Sequence, residues 1–464
     1  MKILYIASEV VPFAKTGGLA DVAGALPKAL KEIGHDVRVF MPKYKKVAAV
    51  EFLPGSQVPV YFFENEKYFG SREELYQVKG GDYPDNLERF AAFCQGVYPL
   101  LKKLNWKPDI IHCNDWQSAL VIAYLKVLYK NDPFFSRTAT VYSVHNMGYL
   151  GLFPKDKLMY TGLGPDQLKP EALEFWGNIA LTKAGFVYAD VINTVSETYA
   201  KEIQTEEFGC GLDGLMRYRT KDVYGIINGL DYTVWNPATD KNLPKRYSPA
   251  TISLKTENKS VLQKQNGLPQ KADIPVIGMI TRLADQKGFD ILAAALDKIM
   301  KLGSQLVILG VGDQKYHELF INAKKKYPGQ IGINLKFDAM LAELIYSGSD
   351  MFMMPSHYEP CGLGQLISFK YGTVPIVRKT GGLADTVHNY DPKTGKGEGF
   401  VFEEYSSKAL LDAVTRAITA FKNKISWQAL QVKIMKLDYS WDASAKKYVS
   451  LYMKALAKIG ISTL

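Results

Sequence analysis

The segment KILYIASEVVPFAKTGGLADVAGALPKALKEI, residues 2–33, decides the fold class of this chain. Its apolar beginning predicts a short buried strand at Lys2–Ser8. The stretch Lys15–Gly18 (KTGG) predicts a tight turn, because glycine adopts backbone conformations that other residues avoid. The apolar spacing of Leu19–Ile33 then predicts a helix. A strand, a glycine-rich turn and a helix in this order form the first half of a β-α-β unit.

The same alternation of strands and helices recurs in two series along the chain. The strands predicted in the first series are Lys2–Ser8, Asp109–Cys113, Ala139–His145 and Val191–Val195. The strands predicted in the second series are Pro275–Ile280, Gln305–Leu309, Ile331–Lys336, Met351–Met354 and Val374–Val377. Because such alternation is typical of parallel sheets, we predict an α/β protein with two Rossmann-like, doubly wound domains that face each other across a cleft.

The stretch between the two series indicates a connector. Trp235–Asp273 is rich in proline, lysine, asparagine and serine. The helical pattern of Trp441–Ile459 could pack back on the first domain. The predicted segments are a first domain at 1–236, a linker at 237–273, a second domain at 274–440 and a C-terminal helical region at 441–464.

Composition excludes several classes of protein. The chain has 464 residues, 47% of them hydrophobic and 22% charged, which is typical of a globular protein with two or three domains. No apolar run approaches the ~18 residues of a membrane span. The four cysteines are far apart and form no C-x-x-C pair, which disfavours zinc and favours a reducing, cytoplasmic location. The net charge of +10 is spread along the chain, and no nucleic-acid-binding motif occurs.

Three segments are candidates for binding an anionic ligand. Lys15 adds a cation to a turn whose following amides point at any anion at the helix start. Arg282 and Lys287 follow a predicted strand and could converge on one diphosphate. Glu359 lies in a glycine-rich loop, where a carboxylate could hold sugar hydroxyls. Spacing alone leaves ordinary surface cations equally open for the lysines and the arginine, and it slightly favours a helix-capping acid for Glu359.

Together the motifs resemble a known family. The matching stretches, whose order and spacing also fit, are Ala7–Val22, His112–Gln117, Val144–Asn146, Asn193–Ser196, Asn228–Asp231, Thr281–Gly288 and Pro355–Leu363. They are similar to those of the bacterial glycogen synthases and plant starch synthases, which are retaining glucosyltransferases of the GT-B architecture. The resemblance implies transfer of glucose from a nucleoside diphosphate glucose, ADP-glucose in most bacterial members, to the non-reducing end of an α-1,4-glucan such as glycogen. Neither a membrane nor a nucleic acid is an implied partner.

The resemblance also implies catalytic roles. Lys15 would contact the donor phosphate or sugar, and Arg282 and Lys287 would neutralise the departing diphosphate. His145 would touch the glucose near the reacting carbon, and Glu359 would hold the glucose. The further substrate contacts implied are the amides after Gly17 and Gly18, the sugar contacts Asp21 and Asn228, the acceptor-side Asp115, the base-stacking Phe337, and amides near Cys361, Gly362, Leu363 and Gly364.

These cations and amides can stabilise the charge of the leaving group directly, so we expect neither a metal nor another cofactor. No D-x-D motif occurs. We do not assign Glu359 as a covalent nucleophile, because the family is understood to use same-face attack. His112 is expected in the core or in a cleft wall. Tryptophans are expected to serve packing, with Trp116 as the exception because it adjoins Asp115.

The chain departs from the family pattern at four positions. Gly364 stands where threonine is usual, His357 where arginine is common, and Phe337 where a tyrosine commonly stacks on adenine. Ile367 stands where the wider glycosyltransferase pattern has a ribose-binding glutamate. The choice between ADP-glucose and UDP-glucose therefore stays open at this point.

Two other functions fit the same architecture. A glucan phosphorylase would need a lysine that binds pyridoxal phosphate, and such chains are usually much longer. A catalytically inactive glucan-binding or scaffold protein is the second alternative. The presence of Lys15, Arg282, Lys287 and Glu359 disfavours it.

Overall fold

The structure, a computed structural model, describes residues 1–48, 50–78 and 81–461. The chain divides into two compact units, Met1–Gly229 with Trp441–Leu464, and Leu230–Ser440. The domain boundaries given above stay a prediction. Within the described ranges, no helix combines the length and the apolar character needed to cross a membrane.

The first unit contains a large sheet, two small sheets and flanking helices. Its strands are β1 (Lys2–Ile6), β2 (Asp36–Pro42), β3 (Val60–Phe63), β4 (Gln77–Val78), β5 (Gly81–Asp82), β6 (Ile110–Asn114), β7 (Ala139–Val144), β8 (Leu152–Pro154), β9 (Glu174–Phe175), β10 (Asn178–Ala180), β11 (Val191–Thr194) and β12 (Val223–Gly225). Its helices before the second unit are α1 (Gly18–Glu32), α2 (Asn86–Gln95), α3 (Val97–Lys103), α4 (Ala119–Val127), α5 (Leu181–Tyr188), α6 (Glu197–Glu202) and α7 (Asp213–Tyr218).

The large sheet of the first unit has the order β12-β11-β7-β6-β1-β2-β3, and its strands pair in parallel. Central strands such as β6 and β7 are buried along their whole length, as expected where helices cover both faces of a sheet. The strand order reverses between β1 and β6. In open α/β sheets, ligands bind beyond the carboxyl ends of the strands at such a switch point.

The second unit follows the same principle. Its elements are α8 (Lys255–Gln265), β13 (Val276–Ile280), α9 (Phe289–Lys301), β14 (Gln305–Leu309), α10 (Gln314–Lys326), β15 (Ile331–Asn334), α11 (Ala339–Gly348), β16 (Met351–Met354), α12 (Gly364–Lys370), β17 (Val374–Arg378), α13 (Gly381–Thr386), β18 (Phe400–Phe402), α14 (Ser407–Phe421) and α15 (Lys424–Met435). The parallel sheet has the order β15-β14-β13-β16-β17-β18, which is the Rossmann order with its switch point between β13 and β16. The fold class of two Rossmann-like α/β domains is confirmed.

Helix α8 lies within the segment that the sequence analysis interpreted as a connector because of its polar composition. Lys255 and Lys259 on this helix are buried, although lysine side chains are rarely buried in proteins unless they are paired. The Lys255 ammonium donates to the carbonyl oxygens of Tyr346 and Ser347 at 3.0 and 2.8 Å. The Lys259 ammonium lies 2.7 Å from an oxygen of Asp350. Polar composition suggested a solvated segment, whereas these lysines are satisfied inside the unit.

The last helix, α16 (Trp441–Lys458), belongs to the first unit and is joined to its sheet by buried polar groups. The Tyr452 hydroxyl lies 2.9 Å from His112 Nδ1, and His112 Nε2 lies 2.7 Å from Ser143 Oγ. Asn193 Nδ2 also donates to Ser143 Oγ, at 3.0 Å. Burial lowers the pKa of His112 to about 3. His112 is therefore a neutral core residue that anchors the helix.

Candidate active site

The turn that carries Lys15 is organised by Glu9, a buried carboxylate that the sequence analysis did not single out. Glu9 accepts hydrogen bonds from the Thr16 amide, from the Thr16 hydroxyl at 2.6 Å and from the Gly17 amide at 3.2 Å. The Tyr76 hydroxyl donates to the same carboxylate at 2.7 Å. With these donors satisfied, the turn has a fixed geometry. The sequence did contain one indication of this role, because Glu9 places a carboxylate immediately after a predicted buried strand.

The structure brings the predicted residues of this turn together. Helix α1 begins at Gly18, directly after the Gly17 amide that donates to Glu9. The Lys15 ammonium lies 2.7 Å from an oxygen of Asp21, with both side chains partly exposed. Lys15 and Asp21 thus form one ion pair beside the start of the helix.

A second cluster follows the neighbouring strands β6 and β7. The Asp115 carboxylate accepts the backbone N–H of His145 at 2.7 Å. His145 Nε2 lies 3.0 Å from Asn114 Oδ1, which also accepts the Tyr5 hydroxyl at 3.0 Å. Asn114 Nδ2 donates to the carbonyl oxygen of Ile6 at 3.0 Å, which fixes the orientation of the amide. His145 therefore carries its proton on Nε2, and its Nδ1 is left as an acceptor.

The two titratable groups of this cluster have strongly shifted pKa values. Burial lowers the pKa of His145 to about 4, so the imidazole is neutral at physiological pH. Burial raises the pKa of Asp115 to about 7, although the His145 N–H opposes this shift and nearby Glu9 adds to it. Asp115 also holds a positive φ of 55°, an uncommon conformation for a non-glycine residue that is found enriched at functional sites. Shifted pKa values and backbone strain at the end of a strand are typical of a catalytic site.

Two other residues of the first unit that the sequence analysis considered have distinct environments. Asn228 is buried, and among the described residues its side-chain oxygen accepts no hydrogen bond. Trp116 is also buried, and its ring meets the rings of Phe90 and Phe153 at 5.0 and 5.7 Å between centroids. Trp116 therefore serves packing in this structure.

In the second unit, Lys287 and Glu359 contact each other. The Lys287 ammonium lies 2.9 and 2.7 Å from the two oxygens of Glu359, and both side chains are largely buried. Ser356 Oγ donates to the same carboxylate at 2.8 Å. Arg282 is exposed on the loop that also carries Lys287, directly after β13. The cations and the carboxylate thus lie on the loops that follow β13 and β16, at the switch point of the sheet.

Two neighbouring turns hold the backbone of the Glu359 loop. The His357 amide donates to the Gln286 carbonyl at 2.9 Å. The Gly382 amide donates to the Glu359 carbonyl at 3.2 Å. A β-carbon at Gly381, where φ is 44°, would lie 2.0 Å from that carbonyl oxygen, so only glycine fits. The sequence KTGGLAD occurs twice in the chain, at residues 15–21 and 379–385. The second copy supports the backbone of Glu359, whereas the first copy follows the first strand of the other sheet.

The start of α12 explains one departure from the family pattern. A β-carbon at Gly364 would lie 2.8 Å from Phe352 Cε1 and 3.3 Å from Met354 Sδ. Phe352 is buried in the core of the second unit and has little room to move. The space that a threonine would need is therefore filled by the Phe352 ring. Cys361 is buried beside this helix start, Gly362 has a φ of 69°, and Leu363 packs against the same core.

We predict that Gly364→Thr lowers the free energy of unfolding by about 1–3 kcal/mol, the typical cost of overpacking a core. Unfolding in denaturant measures the change. The matched control is Gly214→Thr on α7, where a β-carbon comes no nearer than 3.9 Å to Arg217 Nη2. Equal stability of the two variants would contradict the steric explanation.

Phe337 lies after β15 and is 86% exposed. Its open ring face is available for stacking, and among the described contacts the structure assigns it no aromatic partner. In the described residues no group of three or more His, Cys, Asp or Glu side chains is placed to hold a metal ion.

Comparisons with known proteins now bear on this site. Residues 2–218 match the family described as the starch synthase catalytic domain, and residues 261–425 match glycosyl transferases group 1. A glycogen synthase of Geotalea uraniireducens is 49% identical, with 99% of this chain and 100% of the relative aligned. The chain belongs to the glycogen synthase family. A glycogen synthase of Thermotoga maritima is 47% identical, again over 99% of this chain and 100% of the relative.

Solved structures agree with this membership. The catalytic domain of starch synthase IV from Arabidopsis thaliana, bound to ADP and acarbose, has a TM-score of 0.89 and 32% identity. The alignment covers 98% of this chain and 99% of that domain. A sucrose-phosphate synthase from Thermosynechococcus elongatus, at 17% identity and a TM-score of 0.63, shares the fold. As a member of the glycogen synthase family, the chain is a glycosyltransferase. The roles of its individual site residues stay predictions.

Proposed function

We propose that this protein transfers glucose from ADP-glucose to the non-reducing end of an α-1,4-glucan, with retention of configuration, in glycogen synthesis. The observation that carries the proposal is the group of Arg282, Lys287 and Glu359 at the switch point of a Rossmann sheet. The ADP and acarbose bound to the related starch synthase IV support an adenine nucleotide and a glucan-like ligand.

The chemistry follows from charge. As the bond between the glucose C1 and the diphosphate breaks, negative charge accumulates on the diphosphate. Arg282 can bind two phosphate oxygens at once, whereas Lys287 acts as a compact charge. We propose that Lys287 divides its hydrogen bonds between Glu359 and the phosphate, so that Glu359 sets the position of the ammonium. Positive charge from side chains makes a resident metal or other cofactor unnecessary in this proposal.

The first unit supplies groups that suit sugar hydroxyls. Neutral His145 can accept a hydrogen bond through Nδ1, because Asn114 holds the proton on Nε2. The side-chain oxygen of Asn228, which accepts no hydrogen bond from any described residue, is a further acceptor. We propose that Lys15 and Asp21 contact the donor, and that Asp115 contacts the acceptor.

A single assay tests the proposed function. Nucleotide release is measured with ADP-glucose and with UDP-glucose, each with and without glycogen. We expect glycogen-dependent release of ADP and a slower release of UDP. Glucan binding without nucleotide release would instead favour a scaffold protein. Glucose 1-phosphate formed from glycogen and phosphate, with absorbance from a pyridoxal group, would favour a phosphorylase.

The proposed acceptor role of Asp115 predicts a pH dependence. Because the pKa of Asp115 is raised to about 7, its carboxylate ionises as the pH rises through neutrality. Ionisation strengthens the hydrogen bond from the His145 amide, so we expect kcat/KM for glucan to increase through about pH 7. Asp115→Asn keeps an oxygen acceptor and removes the titration. A wild-type step that persists in Asp115→Asn would contradict this assignment.

We further propose a cytoplasmic location. The four cysteines are free thiols, and three of them are buried. Free thiols are typical of a reducing compartment.

A further inference from the structure

Two loops of the second unit meet beside the candidate active site. The Lys287 loop, residues 281–288, joins β13 to α9, and the Glu359 loop, residues 355–363, joins β16 to α12. The ion pair between Lys287 and Glu359 links these loops through their side chains. The proposed function requires an accurate placement of this pair, because one ammonium serves both the carboxylate and the leaving diphosphate.

Gln286, the residue before Lys287, joins the same two loops through two hydrogen bonds. Its carbonyl oxygen accepts the His357 amide at 2.9 Å. Its side-chain Nε2 donates to the Tyr358 carbonyl oxygen at 3.1 Å. Gln286 therefore holds the backbone that directly precedes Glu359 at two points.

The close approach of the two loops continues at Gly288. A β-carbon there would lie 2.0 Å from the Pro355 carbonyl oxygen, a distance that real β-carbons essentially never show. Residues 286–288 therefore lie against the Glu359 loop without a gap. Within this contact, the Gln286 carboxamide is the side-chain group that donates to the opposite backbone.

The other side of the Glu359 loop is held independently of Gln286. The guanidinium of Arg378, at the end of β17, donates to the His357 carbonyl oxygen. The same guanidinium lies over the Tyr405 ring, with 5.2 Å between its Cζ and the ring centroid. Loss of the Gln286 side chain would therefore leave the Glu359 loop attached to β17 and would loosen only its relation to the Lys287 loop.

We propose that Gln286 is a positioning residue, whose carboxamide sets the distance between the Lys287 ammonium and Glu359. The proposal rests on the proposed function. In it Gln286 touches no substrate and acts through Lys287, because the position of the ammonium determines how much of its charge reaches the leaving diphosphate. A displacement of about 1 Å at a catalytic group can cost roughly 100-fold in rate, so the fixed geometry has a kinetic consequence.

The test replaces the carboxamide with a side chain of similar size that has no N–H donor. We expect Gln286→Met to lower kcat with ADP-glucose about tenfold, less than a full displacement would, because the main-chain bond to His357 remains. KM for ADP-glucose should change less than about twofold, since the additional charge on the diphosphate develops only in the transition state. The matched control is Gln314→Met on α10, which removes an exposed donor to Glu318 and should keep the wild-type kcat.

A double-variant cycle shows whether Gln286 acts through Lys287. In the Lys287→Ala background, Gln286→Met should lower kcat less than about twofold further, because the group that it positions is absent. A tenfold loss in both backgrounds would overturn the proposal. A wild-type kcat in Gln286→Met alone would overturn it as well.

Melting temperatures separate positioning from folding. Gln286→Leu, which also lacks a donor, should match Gln286→Met in kcat. Both variants should melt within about 4 °C of the wild type, the shift expected for one lost hydrogen bond. Variants that no longer fold would overturn the proposal, because the carboxamide would then have a structural role. An inactive wild-type enzyme would instead contradict the proposed function.

Discussion

We expect Lys287→Ala to lower kcat with ADP-glucose by about 100-fold or more, because the departing diphosphate loses a preorganised cation. The same change leaves the largely buried Glu359 carboxylate with Ser356 as its remaining donor among the contacts described. Loss of one partner of a buried ion pair typically costs about 3 kcal/mol, so we also expect a lower free energy of unfolding. Steady-state kinetics and denaturant unfolding measure the two effects.

The double variant separates the two roles of Lys287. Glu359→Gln removes the buried charge, so Lys287→Ala/Glu359→Gln should regain much of the stability that Lys287→Ala loses. Its kcat should remain at least 100-fold below that of the wild type, since the cation is still absent. A double variant that regains both stability and activity would show that Lys287 only neutralises Glu359.

Arg282→Ala is expected to lower kcat by about 100-fold as well, because a bidentate contact to the leaving group is lost. Unlike Lys287, Arg282 is exposed, so the free energy of unfolding should change little. Arg282→Lys keeps the charge and loses the planar fork, and we expect an intermediate rate. Added guanidinium should partly restore Arg282→Ala and leave Lys287→Ala unchanged. An Arg282→Ala enzyme with the wild-type kcat would contradict the assignment.

Much of the fold could be predicted because many of the strands have a local signature. The apolar runs at Gln305–Leu309 and Met351–Met354 match the observed strands, and the glycine turn before α1 marks the start of that helix. Helix α8 was missed, since its lysines find buried carbonyl and carboxylate partners far away in the sequence. Local composition carries no information on such partners.

The candidate site shows the same division between local and distant information. Motifs identify Lys15, Lys287 and Glu359 as residues of interest. They do not show that Lys287 and Glu359 form an ion pair, because these residues are 72 positions apart. The organising role of Glu9 is likewise evident only from the donors that surround its carboxylate.

The presence of glycine at position 364 is also explained by a contact between residues that are distant in the sequence. A sequence shows that glycine replaces threonine, but the cause is the Phe352 ring on the neighbouring strand. The neutral state of His145 similarly depends on burial, and its tautomer depends on Asn114, which precedes it by 31 positions. Packing and solvation, rather than residue type, determine these properties.

The central claim is that side-chain cations of the second unit, without a metal ion, stabilise the departing diphosphate. The most direct measurement is glycogen-dependent ADP release in excess EDTA by the wild type and by Arg282→Ala/Lys287→Ala. The account predicts an unchanged wild-type rate and a rate at least 100-fold lower for the double variant. Loss of wild-type activity in EDTA, or a double variant that releases ADP at the wild-type rate, would contradict it.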